Sequence, residues 1–182
     1  MDFRTIQLDR VEFDSPNKKR VTWKSSIRYG SEKRIVFQTP PFRASVAQHK
    51  FLPDALTLQK SSTVDDLAPF SEFLDSVVSL FDSSIGNGSP DSPDGRSPLD
   101  YLTIGSDTVV YGVTDALQPG DSCRVACLVA LTGGWCKPGD DGAIVSRGLT
   151  FEVDEVKVYD LAERVVRAPR TFIDGVEVTQ QN

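Results

Sequence analysis

The sequence predicts a mainly β protein: a small Greek-key barrel with one inserted helix. Two observations carry this. Seven or eight short segments alternate apolar and polar residues or are rich in β-branched and aromatic residues, with turn chemistry between them. One segment in the middle of the chain changes to helical periodicity. Short strands with a single helix among them fit a five-stranded barrel carrying extra strands. A chain of 182 residues, 39% hydrophobic, can bury one full core. Residues 1–162 are therefore expected to form one domain and 163–182 a C-terminal tail.

Arg20–Tyr29 sets Val21, Trp23, Ser25, Ile27 and Tyr29 on one face and Thr22, Lys24, Ser26 and Arg28 on the other. After a Gly30-Ser31 turn, Lys33–Thr39 reads as a second strand, so the two are expected to pair as a hairpin. Pro40-Pro41 stops the second strand, because proline offers no N–H to a ladder. Ala55–Gln59 is a short third strand. Val64–Phe81 repeats apolar residues at three and four, a helix over about 64–82. Ser62 or Thr63 would cap it, with Asp65 and Asp66 in its first turn. Alternatively the helix begins at Pro69, a residue favoured at the first helical position. Residues 83–98 are Gly, Ser, Pro and Asp with little else, and read as a flexible loop. Further strands are expected at Leu99–Ile104, Thr108–Val113, Ser122–Leu131, Leu149–Val153 and Glu155–Leu161. Gly133-Gly134 reads as a hairpin turn or, less simply, as a phosphate-cradling loop.

Charge is unevenly distributed. Residues 1–50 hold 11 Lys/Arg against 5 Asp/Glu, while residues 51–182 hold 9 against 21, within a net charge of −6. The basic residues lie on predicted strands, interleaved with Trp23, Tyr29 and Phe37. A cationic sheet in an acidic protein favours a localised polyanion groove, with the remaining acidic surface steering a strand into it. Cations on such a sheet can track phosphates, and aromatics can stack bases at ~1–3 kcal/mol each. The plainer alternative is a solvated outer face with Trp23 and Phe37 in the core. Trp135 is placed either as an exposed stacking ring or as a core residue.

Catalytic and metal chemistry find little footing. There is one histidine, His49, and no P-loop, nucleophile elbow or zincin motif. Cys123 and Cys127 share a strand face but lie too far apart for one zinc, with Cys136 a third ligand at most; buried structural thiols fit better. No cofactor and no enzymatic activity are expected. The chain has no run of about 18 apolar residues and no apolar N-terminal stretch, so neither a membrane span nor a secretory signal is expected. An odd, clustered set of three cysteines fits a reducing, intracellular compartment.

Two segments add a resemblance. One is Ile35-Val36-Phe37-Gln38-Thr39-Pro40-Pro41-Phe42-Arg43. The other runs from the Leu117–Asp121 turn through Val125–Leu131 and Gly133-Gly134-Trp135 to Gly148–Val153 and Val156–Tyr159. Together they resemble the replicative single-stranded-DNA-binding proteins of large DNA viruses, related to the podophage type. The resemblance covers roughly residues 20–60 and 100–160. It implies an OB-fold-like barrel that coats single-stranded DNA, or RNA, without base specificity during replication, recombination or repair. It also implies replication-protein partners, a possible homo-oligomer, and the host nucleus or cytoplasm as location. The implied binding residues are Lys24, Arg28, Arg34, Phe37, Arg43, Trp135 and Lys157. The chain departs from the family pattern in having only Arg147 as a cation near the last glycine turn and only Glu177 as an acid in Val176–Asn182. The competing expectation is a non-enzymatic β-rich virion or assembly protein whose basic face binds an acidic protein.

Overall fold

The computed structural model describes residues 2–18, 21–61, 67–86 and 101–162, together with two short strands at 171–173 and 176–178. In chain order the strands are β1 (Val11–Phe13), β2 (Trp23–Tyr29), β3 (Ile35–Gln38), β4 (Phe42–Gln48) and β5 (Leu56–Lys60). Helix α1 (Ala68–Ile85) follows, then β6 (Tyr101–Ile104), β7 (Val109–Tyr111), β8 (Ser122–Pro138) and β9 (Ile144–Leu161). Beyond them β10 (Thr171–Ile173) and β11 (Val176–Val178) pair antiparallel as a sheet of their own within the expected tail.

Strands β4, β5 and β6 form an antiparallel meander, and β8 returns to lie beside β4. The spatial order β8-β4-β5-β6 is that of a Greek key. On its other edge β8 pairs with β9, which comes against β6. There the Thr108 hydroxyl, just past β6, donates to the Val153 carbonyl of β9 at 2.8 Å. The mainly β, barrel-like architecture with an inserted helix is thus the one the sequence predicts, and α1 enters between β5 and β6.

The expected hairpin between the first two basic strands does not form. Trp23–Ser26 of β2 pairs with Cys136–Gly133 of β8, and Ile35–Gln38 of β3 pairs with Leu131–Leu128 farther along the same edge. Phe42–Ser45 of β4 continues the series against Val125–Ser122. The three segments are laid end to end along one long strand. The tight Tyr29–Glu32 turn between β2 and β3 is an excursion rather than a reversal, with each residue's N–H bonded to the other's carbonyl. Pro40-Pro41 does end β3, yet the chain resumes pairing at once in β4, a strand the sequence reading leaves out because Ala44, Ser45 and Ala47 give its alternation little hydrophobic contrast.

Helix α1 begins where Pro69 allows, with Pro69 in its first turn and Leu67 at the N-cap without a side-chain bond. The expected caps Ser62 and Thr63, with Asp65 and Asp66, lie outside the described residues. The helix runs on through 83–85 and ends at Gly86, whose φ of 74° is the left-handed conformation that glycine adopts without penalty. The rest of the expected loop, 87–98, lies outside the described residues.

The helix buries Phe70, Phe73, Leu74, Val77 and Phe81. Phe37 of β3 meets Phe73 edge-on at 5.5 Å between ring centroids and Phe70 at 5.9 Å, while Phe13 meets Phe81 at 5.1 Å. Such pairs add to simple area burial. Gly133-Gly134 is not a turn but mid-strand β8, and its role is close approach. A β-carbon on Gly134 would sit 2.7–2.8 Å from the Phe81 ring. The turn between β8 and β9 falls instead at Gly139–Ala143, closed by the Gly139 N–H to the Ala143 carbonyl at 2.7 Å.

Gly134→Val should therefore push the helix off the sheet and destabilise the fold by about 1–3 kcal/mol, read as a lower urea midpoint. A Val variant with an unchanged midpoint would show that the contact with Phe81 carries no constraint.

Candidate nucleic-acid interface

The two faces of β8 divide the protein. Inward stand Cys123, Val125, Cys127, Val129, Leu131 and Cys136, all buried. Burial pushes the Cys123 thiol up to about 11 and the Cys127 thiol up to about 12, so both are inert at neutral pH. This is the structural role their spacing predicts. Outward stand Arg124, Ala126, Leu128, Ala130, Trp135 and Lys137, alternating with the buried set until a bulge between Leu131 and Gly133 resets the phase.

Cross-strand pairing places four of the expected binding residues, Lys24, Arg43, Trp135 and Lys157, on this outward side. Lys24 of β2 stands directly opposite Trp135, and Arg43 of β4 directly opposite Arg124. Lys157 of β9 stands opposite Ala126. Arg34 is exposed immediately before β3. Arg28, on the stretch of β2 that leaves β8 to pair with β1, is exposed and ion-paired to Asp14. Trp135 is half-buried; its indole lies over Gly148, where a β-carbon would come within 2.9 Å of Nε1. That side of the ring is thus covered by the sheet, and Lys24 is its cross-strand neighbour.

Phe37 is a correction. It is wholly buried among Phe70, Phe73 and Phe151, on the opposite side of β3 from Gln38, and cannot stack a base. In a four-residue strand packed under a helix, the largest apolar side chain takes the inward position because burying it is worth ~2–3 kcal/mol.

Residues the sequence reading passed over complete the surface. Arg124 holds an outward position on β8 that its alternation already assigned. Tyr111, Tyr159 and Gln38 stand around Lys157, with Tyr111 paired to it across the parallel β7–β9 contact. No periodicity in sequence joins these residues, since three different strands supply them.

Opposite charges sort to opposite flanks of β8. The β2–β3–β4 flank brings Lys24, Arg28, Arg34 and Arg43, whereas β9 brings Glu152, Glu155 and Asp160 alongside Lys157. Ala126, Leu128 and Ala130 make a low, apolar floor between them, of which only Leu128 is partly exposed; Ala126 and Ala130 are buried. Arg147 does not join this surface. Its guanidinium is buried on the inner side in an ion pair with Asp82 of α1. Burial raises the Asp82 carboxyl above its ordinary value, and Arg147 pulls it partly back. Arg164, Arg167 and Arg170 of the tail lie outside the described residues.

Comparison with protein-family models, curated proteins and solved structures finds no match for this chain. Function rests on this surface and on the motifs quoted above. Among the described residues no helix is long and apolar enough to cross a membrane.

Removing either partner of the Asp82–Arg147 pair leaves a buried charge. Asp82→Leu and Arg147→Met alone should each cost about 3 kcal/mol, and the double variant should recover most of that loss. Chemical denaturation of the four proteins measures it, and strictly additive losses would contradict the pairing.

Proposed function

We propose that the outward face of β8 and its neighbours binds single-stranded DNA without base preference, in the manner of a strand-coating protein of replication, recombination or repair. The observation that carries this is the charge sorting. Lys24, Arg34 and Arg43 line one flank of an apolar floor, and Glu152, Glu155 and Asp160 line the other. A flexible polyanion laid along that floor meets most of its cations on one side, with Lys157 the cation among the acids of the other. The acids on the other side repel its phosphates toward the basic flank. Trp135, with one side of its ring covered by Gly148, offers an aromatic platform at one end of the floor.

An extended strand also suits the width available. The outward positions of β8 from Arg124 to Lys137 span about 40 Å at ~3.3 Å per residue. That is a path for several nucleotides, within the range of about 4–16 for a barrel of this kind. A rigid duplex presents phosphates on both sides and would meet the acidic flank. The rival, a β-rich assembly protein whose basic face binds an acidic partner, requires no aromatic platform.

Titration of fluorescent oligo-dT at two salt concentrations, with duplex DNA as control, tests the proposal. Neutralising four or five phosphates gives a log–log salt slope of about −3, at ~0.7 per phosphate on single strands. Lys24→Glu with Arg34→Glu should weaken binding at least about tenfold and flatten that slope. Affinity independent of salt, or equal for duplex, contradicts the proposal. A stable complex with an acidic protein, without affinity for oligo-dT, favours the rival.

A further inference from the structure

Trp135 marks only one end of the floor. At the other end, Gln38, Leu128, Ala126, Glu155, Lys157, Tyr111 and Tyr159 line an open cleft of roughly 610 Å³. It adjoins a second cleft at Gln38 and Leu128, formed with Asp2, Arg4 and Pro40-Pro41. Both tyrosine rings are about half exposed, at 48% each. The Lys157 ammonium lies 5.1 Å from the centroid of the Tyr159 ring, and the Tyr111 backbone pairs with that of Lys157. The Tyr159 ring therefore lies beside the cation, and Tyr111 lines the same cleft, over a floor of Ala126 and Leu128.

From this geometry we infer that the cleft is a second base-stacking subsite: Tyr111 and Tyr159 receive an unpaired nucleobase, and Gln38 meets its polar edge. This rests on the single-strand reading above. Several features favour a base over a phosphate here. Glu155 shares the cleft with Lys157 and repels a phosphate from it. The flat faces of two exposed rings and an apolar floor suit an uncharged aromatic guest. The Gln38 amide can both donate and accept, so it satisfies any base without selecting one. The cleft also has the volume of a small-molecule site, within the usual 300–1,000 Å³.

The two platforms set a footprint. Trp135 and Ala126, which faces Lys157, are nine residues apart on β8 by their numbering, or about 30 Å at ~3.3 Å per residue. A strand of four nucleotides can occupy one platform. A strand of about ten can occupy both, so affinity should rise steeply between these lengths.

The test uses the full chain with dT4, dT10 and a dT10 carrying abasic sites. Tyr111→Ala with Tyr159→Ala should weaken dT10 binding about tenfold or more, and leave the salt slope unchanged because no phosphate contact is removed. Tyr111→Phe with Tyr159→Phe should bind like the parent. Abasic substitution should weaken the parent protein more than the alanine variant. Photocrosslinking of 5-iododeoxyuridine strands should place adducts on Tyr111 or Tyr159 without recourse to any variant. A parent that binds dT10 while the alanine variant binds it equally well, with no such adducts, overturns the second subsite and leaves the basic flank standing. A parent that binds no single strand overturns the functional reading itself and the subsite with it.

Discussion

The backbone ladder of β8 is the constraint on which the other features depend. One of its edges is occupied in turn by β2, β3 and β4, and the other by β9 over nearly its whole length. A strand this long must carry bulges, because accumulated twist would otherwise draw its ends away from a compact core. The β8–β9 register shifts at four places, with the extra residue in β8 at one of them, Thr132, and in β9 at the other three. The one at Leu131–Gly133 decides which way Trp135 faces. It shifts the alternation by one, so that Gly134 meets the helix and Trp135 faces outward. Without it the indole would point at Phe81.

The inner side of the same ladder explains why the outer side can be polar. Aromatic rings from β3, α1, β9 and the N-terminal segment fill the space under β8, and the Asp82–Arg147 pair ties the helix to β9. With burial concentrated there, the outward positions are free to hold charge and small residues. The separation of cations from acids then follows from topology. The basic N-terminal segments can pair only with one edge of β8, since β9, which follows it through a short turn, holds the other. The uneven charge of the chain thereby becomes two flanks of one surface.

Much of this was legible in the sequence. The apolar face of the helix followed from three-and-four spacing, whereas its span is Ala68–Ile85 rather than about 64–82, and the alternative start at Pro69 falls one residue from the observed one. The outward placement of Lys24 and the inward placement of Ile27 followed from period two. Other features were hidden for physical reasons. A glycine pair has the same composition in a turn as under an aromatic ring, and only the approach of Phe81 tells them apart. Phe37 was assigned as a candidate base-stacking residue because strand alternation gives two faces without saying which one the helix covers. Tyr111, Lys157 and Tyr159 meet through a parallel contact between β7 and β9, a long-range pairing with no local signal.

The central claim is that a single strand lies along the outward side of β8, between a basic and an acidic flank. Backbone amide NMR of the labelled protein, titrated with dT10, tests it most directly. The account predicts shift changes at Lys24, Arg43, Ala126, Ala130, Trp135 and Lys157, with the Trp135 indole N–H moving and the amides of Val77 and the helix core still. Changes centred elsewhere, on the exposed Phe51–Leu52 loop for example, or no change under conditions of saturation, would contradict it.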